Sequence, residues 1–76
     1  MLATILNKGI GVEFSVTLTD KFGTYTQKYK LMNIDDTLEN SDRQYLLQNS
    51  DNKSEFGVEK NWFNTILTGR KIQIIK

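Results

Sequence analysis

The residues best suited to binding a ligand are aromatic and cationic, and they are interleaved along one stretch of the chain. Tyr25 and Tyr29 lie close to Lys28 and Lys30. Aromatic rings stack on nucleobases and nearby cations hold phosphates, so this mixture suits a nucleotide or a single strand of nucleic acid. Alternation along a strand would place the tyrosines on one face and the lysines on the other. Tyrosines that pack in a core beside solvent-facing lysines are therefore the alternative interpretation.

Two further candidates lie towards the C-terminal end of the chain. Trp62 is followed by Phe63, and Arg70 by Lys71. Tryptophan is over-represented at binding hot spots, and the mouth of a small barrel is a common place for a ligand. In a small core a tryptophan also serves as a packing anchor, and both interpretations of Trp62 stay open. The candidate ligand-binding residues are Tyr25, Lys28, Tyr29, Lys30, Trp62 and Arg70.

Carboxylates are concentrated between residues 33 and 43. This segment contains Asp35, Asp36, Glu39 and Asp42. Hard cations bind carboxylate oxygens, but the spacing lacks the Asp-x-Asp-x-Asp-Gly pattern of an EF-hand loop. No nearby residue supplies a nucleophile to work beside the paired acids. We therefore expect a solvated loop with capping side chains, with neither a metal site nor a catalytic residue.

The composition excludes several classes of enzyme. The chain has no cysteine and no histidine, so the usual zinc and redox sites and the Ser-His and Cys-His nucleophile pairs cannot be built. It also lacks a Gly-rich phosphate loop of the Walker type. We expect a non-catalytic protein that needs no cofactor.

Length and charge limit how such a protein could bind. The 76 residues are expected to form one domain, residues 1–76, with a small core. The net charge of +1 gives no broad field to attract nucleic acid. Recognition would therefore depend on aromatic faces and on backbone amides in turns.

The sequence also predicts a location. The N-terminal residues lack the basic start and apolar stretch of a secretory signal, and no apolar window approaches the roughly 20 residues of a membrane span. The absence of cysteine suits a reducing compartment. We expect a cytoplasmic protein without membrane contact. Its richness in Asn, Lys and Ile is typical of AT-rich coding sequences, which favours a low-GC bacterium or its phage.

The periodicity of apolar residues predicts an all-β protein. Alternation of apolar and polar residues indicates half-buried strands. Strands are predicted at residues 12–19, 24–32, 45–48, 55–60 and 71–76. The first two would form a long hairpin and the next two a second hairpin, each across a run of turn-forming residues. Helical turns are predicted near residues 2–6 and over residues 61–67, the latter ending before Gly69. Five short strands favour a small barrel, because closure limits exposed edges.

This order of elements resembles an SH3-like barrel, and two stretches resemble its Sm/Hfq-like branch. Residues 16–20 followed by residues 31–38 are similar to the first Sm motif, and residues 66–75 to the second. A helical turn that ends at Gly9 fits the same pattern. The resemblance implies a five-stranded barrel with one or two short helical turns, and it favours a nucleic-acid ligand.

The last predicted strand, residues 71–76, is short and flanked by lysines. Such an edge strand can pair with another copy or a partner, or it can close the barrel within one chain.

Two functional hypotheses follow. The first is a self-associating, non-catalytic protein that binds a nucleotide or short single-stranded nucleic acid, including one that sequesters a signalling nucleotide. The second is a small module, of the kind found in phages or mobile elements, that docks on a host protein.

Overall fold

Two helices and five strands form the part of the chain that the computed structural model describes, residues 2–39 and 41–75. In chain order they are α1 (Leu2–Lys8), β1 (Glu13–Asp20), β2 (Gly23–Ile34), β3 (Tyr45–Asn49), β4 (Glu55–Val58), α2 (Lys60–Leu67) and β5 (Lys71–Ile75). The predicted all-β class is confirmed as a mostly β protein. Lys76, the last residue of the predicted fifth strand, and Asn40 of the predicted loop lie outside the described residues.

The strands form one antiparallel sheet in the order β4-β3-β2-β1-β5. β4 and β5 therefore lie at opposite edges, and within residues 2–39 and 41–75 no strand pairing joins them. The sheet is open, whereas the sequence analysis predicted closure into a barrel. The strands themselves were predicted at the right places, with ends that differ by one or two residues.

The long predicted hairpin is β1 and β2. Its register pairs Phe14 with Tyr29 and Asp20 with Gly23, which leaves a two-residue loop. The carboxylate Oδ1 of Asp20 accepts hydrogen bonds from the backbone N–H groups of Phe22 at 2.7 Å and Gly23 at 3.2 Å. Gly23 has φ +143°, a conformation that side chains with a Cβ rarely adopt. The carboxylate of Asp20 thus stabilises the turn that the residue types at positions 20–23 predicted.

One face of the sheet and both helices enclose the core. Leu2 and Ile5 of α1 are three residues apart, and Phe63 and Leu67 of α2 are four apart, so each pair lies on one side of its helix. The buried apolar residues are Leu2, Ile5, Phe14, Val16, Leu31, Tyr45, Leu47, Val58, Phe63 and Leu67. Gly69, with φ +75°, follows the C-terminal turn of α2 as the sequence predicted.

Six of the chain's eight aromatic rings form a continuous series, which we call the aromatic chain. In order the rings are Trp62, Phe56, Tyr29, Phe14, Phe63 and Tyr45, with successive centroids 6.2, 5.8, 5.9, 5.9 and 5.7 Å apart. Such separations are typical of favourable aromatic pairs. At one end of the aromatic chain Trp62 is 44% exposed, and at the other end Tyr45 is 2% exposed. It therefore connects the core to the surface.

The loop between β2 and β3 crosses β4 at Gly57. A Cβ placed on Gly57 would overlap the carbonyl oxygen of Asp42 and lie 3.3 Å from its carbonyl carbon. Both contacts are with backbone, which cannot rotate away. We expect Gly57→Ala to lower the free energy of unfolding by about 1–3 kcal/mol, as overpacking does.

Urea denaturation of Gly57→Ala against Glu55→Ala tests this close approach. Glu55 is exposed on the same strand, so its replacement is expected to change stability by about 0.5 kcal/mol or less. Equal stabilities of the two variants would show that the loop does not contact β4 closely at Gly57.

Candidate ligand-binding site

The end of the β1–β2 hairpin extends beyond the other strands. β5 pairs with β1 only as far as Thr17, and β3 pairs with β2 only from Tyr29. Residues 18–28 therefore form a two-stranded segment, which we call the distal ribbon. Leu18 and Tyr25 are cross-strand partners there, and they are 37% and 55% exposed. The distal ribbon thus carries apolar side chains that no third strand covers.

The opposite face of this end of the hairpin, from Thr17 onwards, carries threonines. Thr17 and Thr26 are paired through their hydroxyl oxygens at 3.1 Å, and Thr19 and Thr24 at 3.3 Å. Cross-strand threonine pairs of this kind stabilise a hairpin. The two faces therefore differ in chemistry, and only one of them presents aromatic surface.

A cavity of about 210 Å³ lies where the distal ribbon faces α2, and we call it the aromatic groove. Its lining includes Leu18, Tyr25, Tyr29, Trp62, Ile66 and Arg70. Trp62 and Ile66 are one helical turn apart on α2, beside the positions that bury Phe63 and Leu67. The same helix thus fills the core with one set of side chains and lines the groove with the adjacent set.

Trp62 is both packed and partly exposed, so its role in ligand binding stays a prediction. Its ring packs edge-to-face with Phe56, with an interplanar angle of 82°, so it is anchored at the end of the aromatic chain. At 44% exposure it also offers a large aromatic surface to the groove. The two tyrosines differ in the same respect. Tyr29 is partly buried in the aromatic chain, as core packing predicted, whereas Tyr25 is exposed and accessible to a ligand.

Arg70 supplies the positive charge of the aromatic groove. Its Nη1 donates a hydrogen bond of 2.7 Å to the carbonyl oxygen of Ile66, near the end of α2. That bond uses one of the five N–H donors of the guanidinium group. Burial raises the pKa of the Tyr29 hydroxyl above its ordinary value, and the nearby charge of Arg70 acts in the opposite direction. At neutral pH the groove therefore holds a neutral phenol beside a cation.

Four of the six predicted site residues come together in the groove, and two do not. Lys28 and Lys30 pair with Ser15 and Glu13 of β1, whose side chains alternate with those that face the core. The lysines therefore project from the face opposite the groove, as the alternation indicated. Leu18 and Ile66 also line the groove, although their apolar periodicity predicted only burial.

The acidic segment forms the capped loop that its residues predicted. The carboxylate Oδ1 of Asp35 accepts hydrogen bonds from the backbone N–H of Thr37 at 3.1 Å and from its hydroxyl at 2.5 Å. Ser41 Oγ accepts one from the backbone N–H of Arg43 at 3.1 Å. In the described part of the chain, no group of three or more acidic, cysteine or histidine side chains could hold a metal ion.

Fold and groove together describe a small, mostly β protein with an aromatic groove whose lining contains one cationic side chain. Among the described residues no helix has both the length and the apolar character needed to span a bilayer. Comparison of the chain with protein-family models, with curated proteins and with solved structures gives no match. The aromatic groove is therefore the feature from which a function is inferred.

Proposed function

We propose that this is a non-catalytic binding protein that holds a nucleotide, or a base of a short single-stranded nucleic acid, in the aromatic groove. The observation that supports the proposal is the meeting of two exposed aromatic side chains, Tyr25 and Trp62, with the guanidinium of Arg70 around one cavity. A base would stack on the rings. Arg70 would bind a phosphate through charge-assisted hydrogen bonds.

We extend the proposal to self-association through the sheet edges. β4 and β5 are the two edge strands of the described sheet. Glu55 begins β4 and Glu59 follows it, whereas Lys71 begins β5. Unpaired edges of opposite charge are suited to pairing between copies, because opposite charges set the register and the backbone groups provide the bonds. Native mass spectrometry of the purified protein would count the copies and detect a retained ligand in one spectrum.

The role of Arg70 is tested with the variant Arg70→Gln and defined probes. We expect its affinity for a ribonucleoside triphosphate, or for a short oligouridylate, to fall by about tenfold or more, as loss of a charge-assisted bond does. Isothermal titration calorimetry measures the affinity, and a thermal melt checks that the variant is folded.

The matched control is the double variant Lys28→Gln/Lys30→Gln, which removes two positive charges from the opposite face. Its affinity is expected to stay close to that of the unchanged protein. An equal loss of affinity in the lysine variant and in Arg70→Gln would show that the ligand does not bind in the aromatic groove. Failure of every nucleotide and oligonucleotide probe to bind the unchanged protein would reject the proposal.

Docking on a protein partner is the second candidate, and the end of the hairpin favours it. Phe22 is 77% exposed at the turn and is not part of the groove lining. The ammonium group of Lys21 lies 5.1 Å from the centre of its ring. Aromatic side chains, phenylalanine among them, are enriched at protein interfaces. Under this candidate Phe22→Ser would abolish capture of the partner, whereas nucleotide affinity would be unchanged.

A further inference from the structure

A second cavity, of about 460 Å³, lies between α1, the loop that follows β2 and the beginning of α2. Its lining is Leu6, Asp36, Glu39, Gln44, Tyr45 and Lys60. None of these residues lines the aromatic groove, so this cavity is a separate feature of the molecule. We call it the acidic cavity.

Gln44 is the unusual member of the acidic cavity. It is 6% exposed, and among the described residues its Oε1 has no hydrogen-bond partner. Its backbone is fully engaged, because the N–H donates to Ser41 at 3.0 Å and the carbonyl accepts from Asp35 at 2.7 Å. The residue is thus held in place while a buried acceptor has no donor. Such acceptors are rare in folded proteins, and a water molecule or a bound ligand can supply the donor.

The charged side chains of the acidic cavity are two acceptors and one donor, the ammonium group of Lys60. Asp36 and Glu39 contribute carboxylates, whereas the carboxylate of neighbouring Asp35 already accepts from Thr37. Burial raises the pKa of the Tyr45 hydroxyl, and the negative charge of Asp36 raises it further. Asp36 therefore lies close enough to act on that hydroxyl. A group that both donates hydrogen bonds and carries positive charge would match this lining.

We propose that the acidic cavity binds a primary ammonium group, which donates hydrogen bonds to Gln44 Oε1 and to the carboxylates of Asp36 and Glu39. An ammonium fits better than a divalent metal ion, since the described residues contain no group of three acidic, cysteine or histidine side chains that could hold one. The volume of about 460 Å³ also admits the carbon chain attached to the nitrogen. This site is independent of the proposed nucleotide groove.

The test follows the side-chain amide signal of Gln44 by NMR while the ligand is titrated into ¹⁵N-labelled protein. The probes are 1,4-diaminobutane, for a free amine, and Nα-acetyl-lysine amide, for a lysine side chain. We expect a saturable shift with at least one probe. The probe that binds more tightly shows whether the site prefers a free amine or a lysine side chain. Affinity should fall by about tenfold or more in the double variant Asp36→Asn/Glu39→Gln, because bonds to charged groups are lost. The control is Asp51→Asn, which changes an exposed carboxylate outside the cavity and should bind the amine as the unchanged protein does.

Four outcomes would overturn the proposal. The first is the absence of a saturable shift at Gln44 with either amine. The second is an equal shift with tetramethylammonium, which carries the charge but has no N–H donor. The third is a shift with magnesium chloride in place of the amines. Lys60→Met provides a further check, since Lys60 lines the same cavity. A shift at Gln44 in that variant without added amine, and no response to added amine, would assign the site to Lys60 itself.

Discussion

Phe14→Ala is expected to lower the free energy of unfolding by about 3–5 kcal/mol, the usual cost of removing a buried aromatic ring. Phe14 is fully buried and packs against Tyr29 and Phe63, each with ring centroids 5.9 Å away. A domain of 76 residues has a total stability of only about 4–11 kcal/mol. The substitution therefore removes a large share of the stability, and urea denaturation followed by circular dichroism measures it.

Phe22→Ala is the matched control for this loss. It removes the same ring from a position that is 77% exposed, so a change of about 0.5 kcal/mol or less is expected. If Phe14→Ala does not fold at all, Phe14→Leu keeps most of the volume and is expected to cost about 1.5 kcal/mol or less. Equal costs for Phe14 and Phe22 substitutions would show that the aromatic chain does not hold the fold together.

The contrast between these two phenylalanines also shows what periodicity predicts. Alternation from Phe14 through Val16 to Leu18 predicts one shared face, and that face is present in β1. Phe14 and Val16 are buried, yet Leu18 is 37% exposed. The difference arises because β5 stops opposite Thr17. A period assigns a side chain to a face, but burial depends on how far the neighbouring strands extend.

The composition of the groove could be predicted only in part. Tyr25 and Trp62 were candidates as residue types, but their meeting depends on where α2 lies against the hairpin. Nothing in the local sequence sets the distance between α2 and the hairpin. By contrast, the separation of Lys28 from the tyrosines follows from strand alternation alone, and the structure agrees. Local rules therefore predicted the opposing faces, whereas tertiary packing assembled the site.

The open sheet has a similar explanation. Strand positions follow from local patterns, and the ends of the predicted strands were close to those observed. Closure would require β4 and β5 to meet, although they are separated by α2 and lie at opposite edges. The separation of β4 from β5 depends on the direction in which α2 leaves β4, and no short sequence pattern encodes that direction. Edge pairing with another copy provides the alternative way to satisfy those backbone groups.

Trp62→Ala is expected to weaken binding of a short oligonucleotide by about 1–3 kcal/mol, or about 5- to 150-fold, the effect of losing one stacked base. Trp62 is half exposed at the edge of the groove, so its ring offers a face to the ligand while Phe56 supports it at 6.2 Å. Trp62→Phe keeps a smaller ring and should retain most of the affinity. Fluorescence anisotropy with a labelled oligonucleotide gives the dissociation constants.

A double-mutant cycle between Trp62 and Tyr25 shows whether they hold the same base. If one base lies between the two rings, the loss in the double variant Tyr25→Ala/Trp62→Ala should differ from the sum of the single losses by about 0.5 kcal/mol or more. Strict additivity would instead mean that each ring stacks on a different base, which requires a ligand longer than a mononucleotide. Unchanged affinity in both single variants would exclude the aromatic groove as the binding site. Because Tyr25 lies on the distal ribbon and Trp62 on α2, coupling between them would also show that the ligand bridges these two elements.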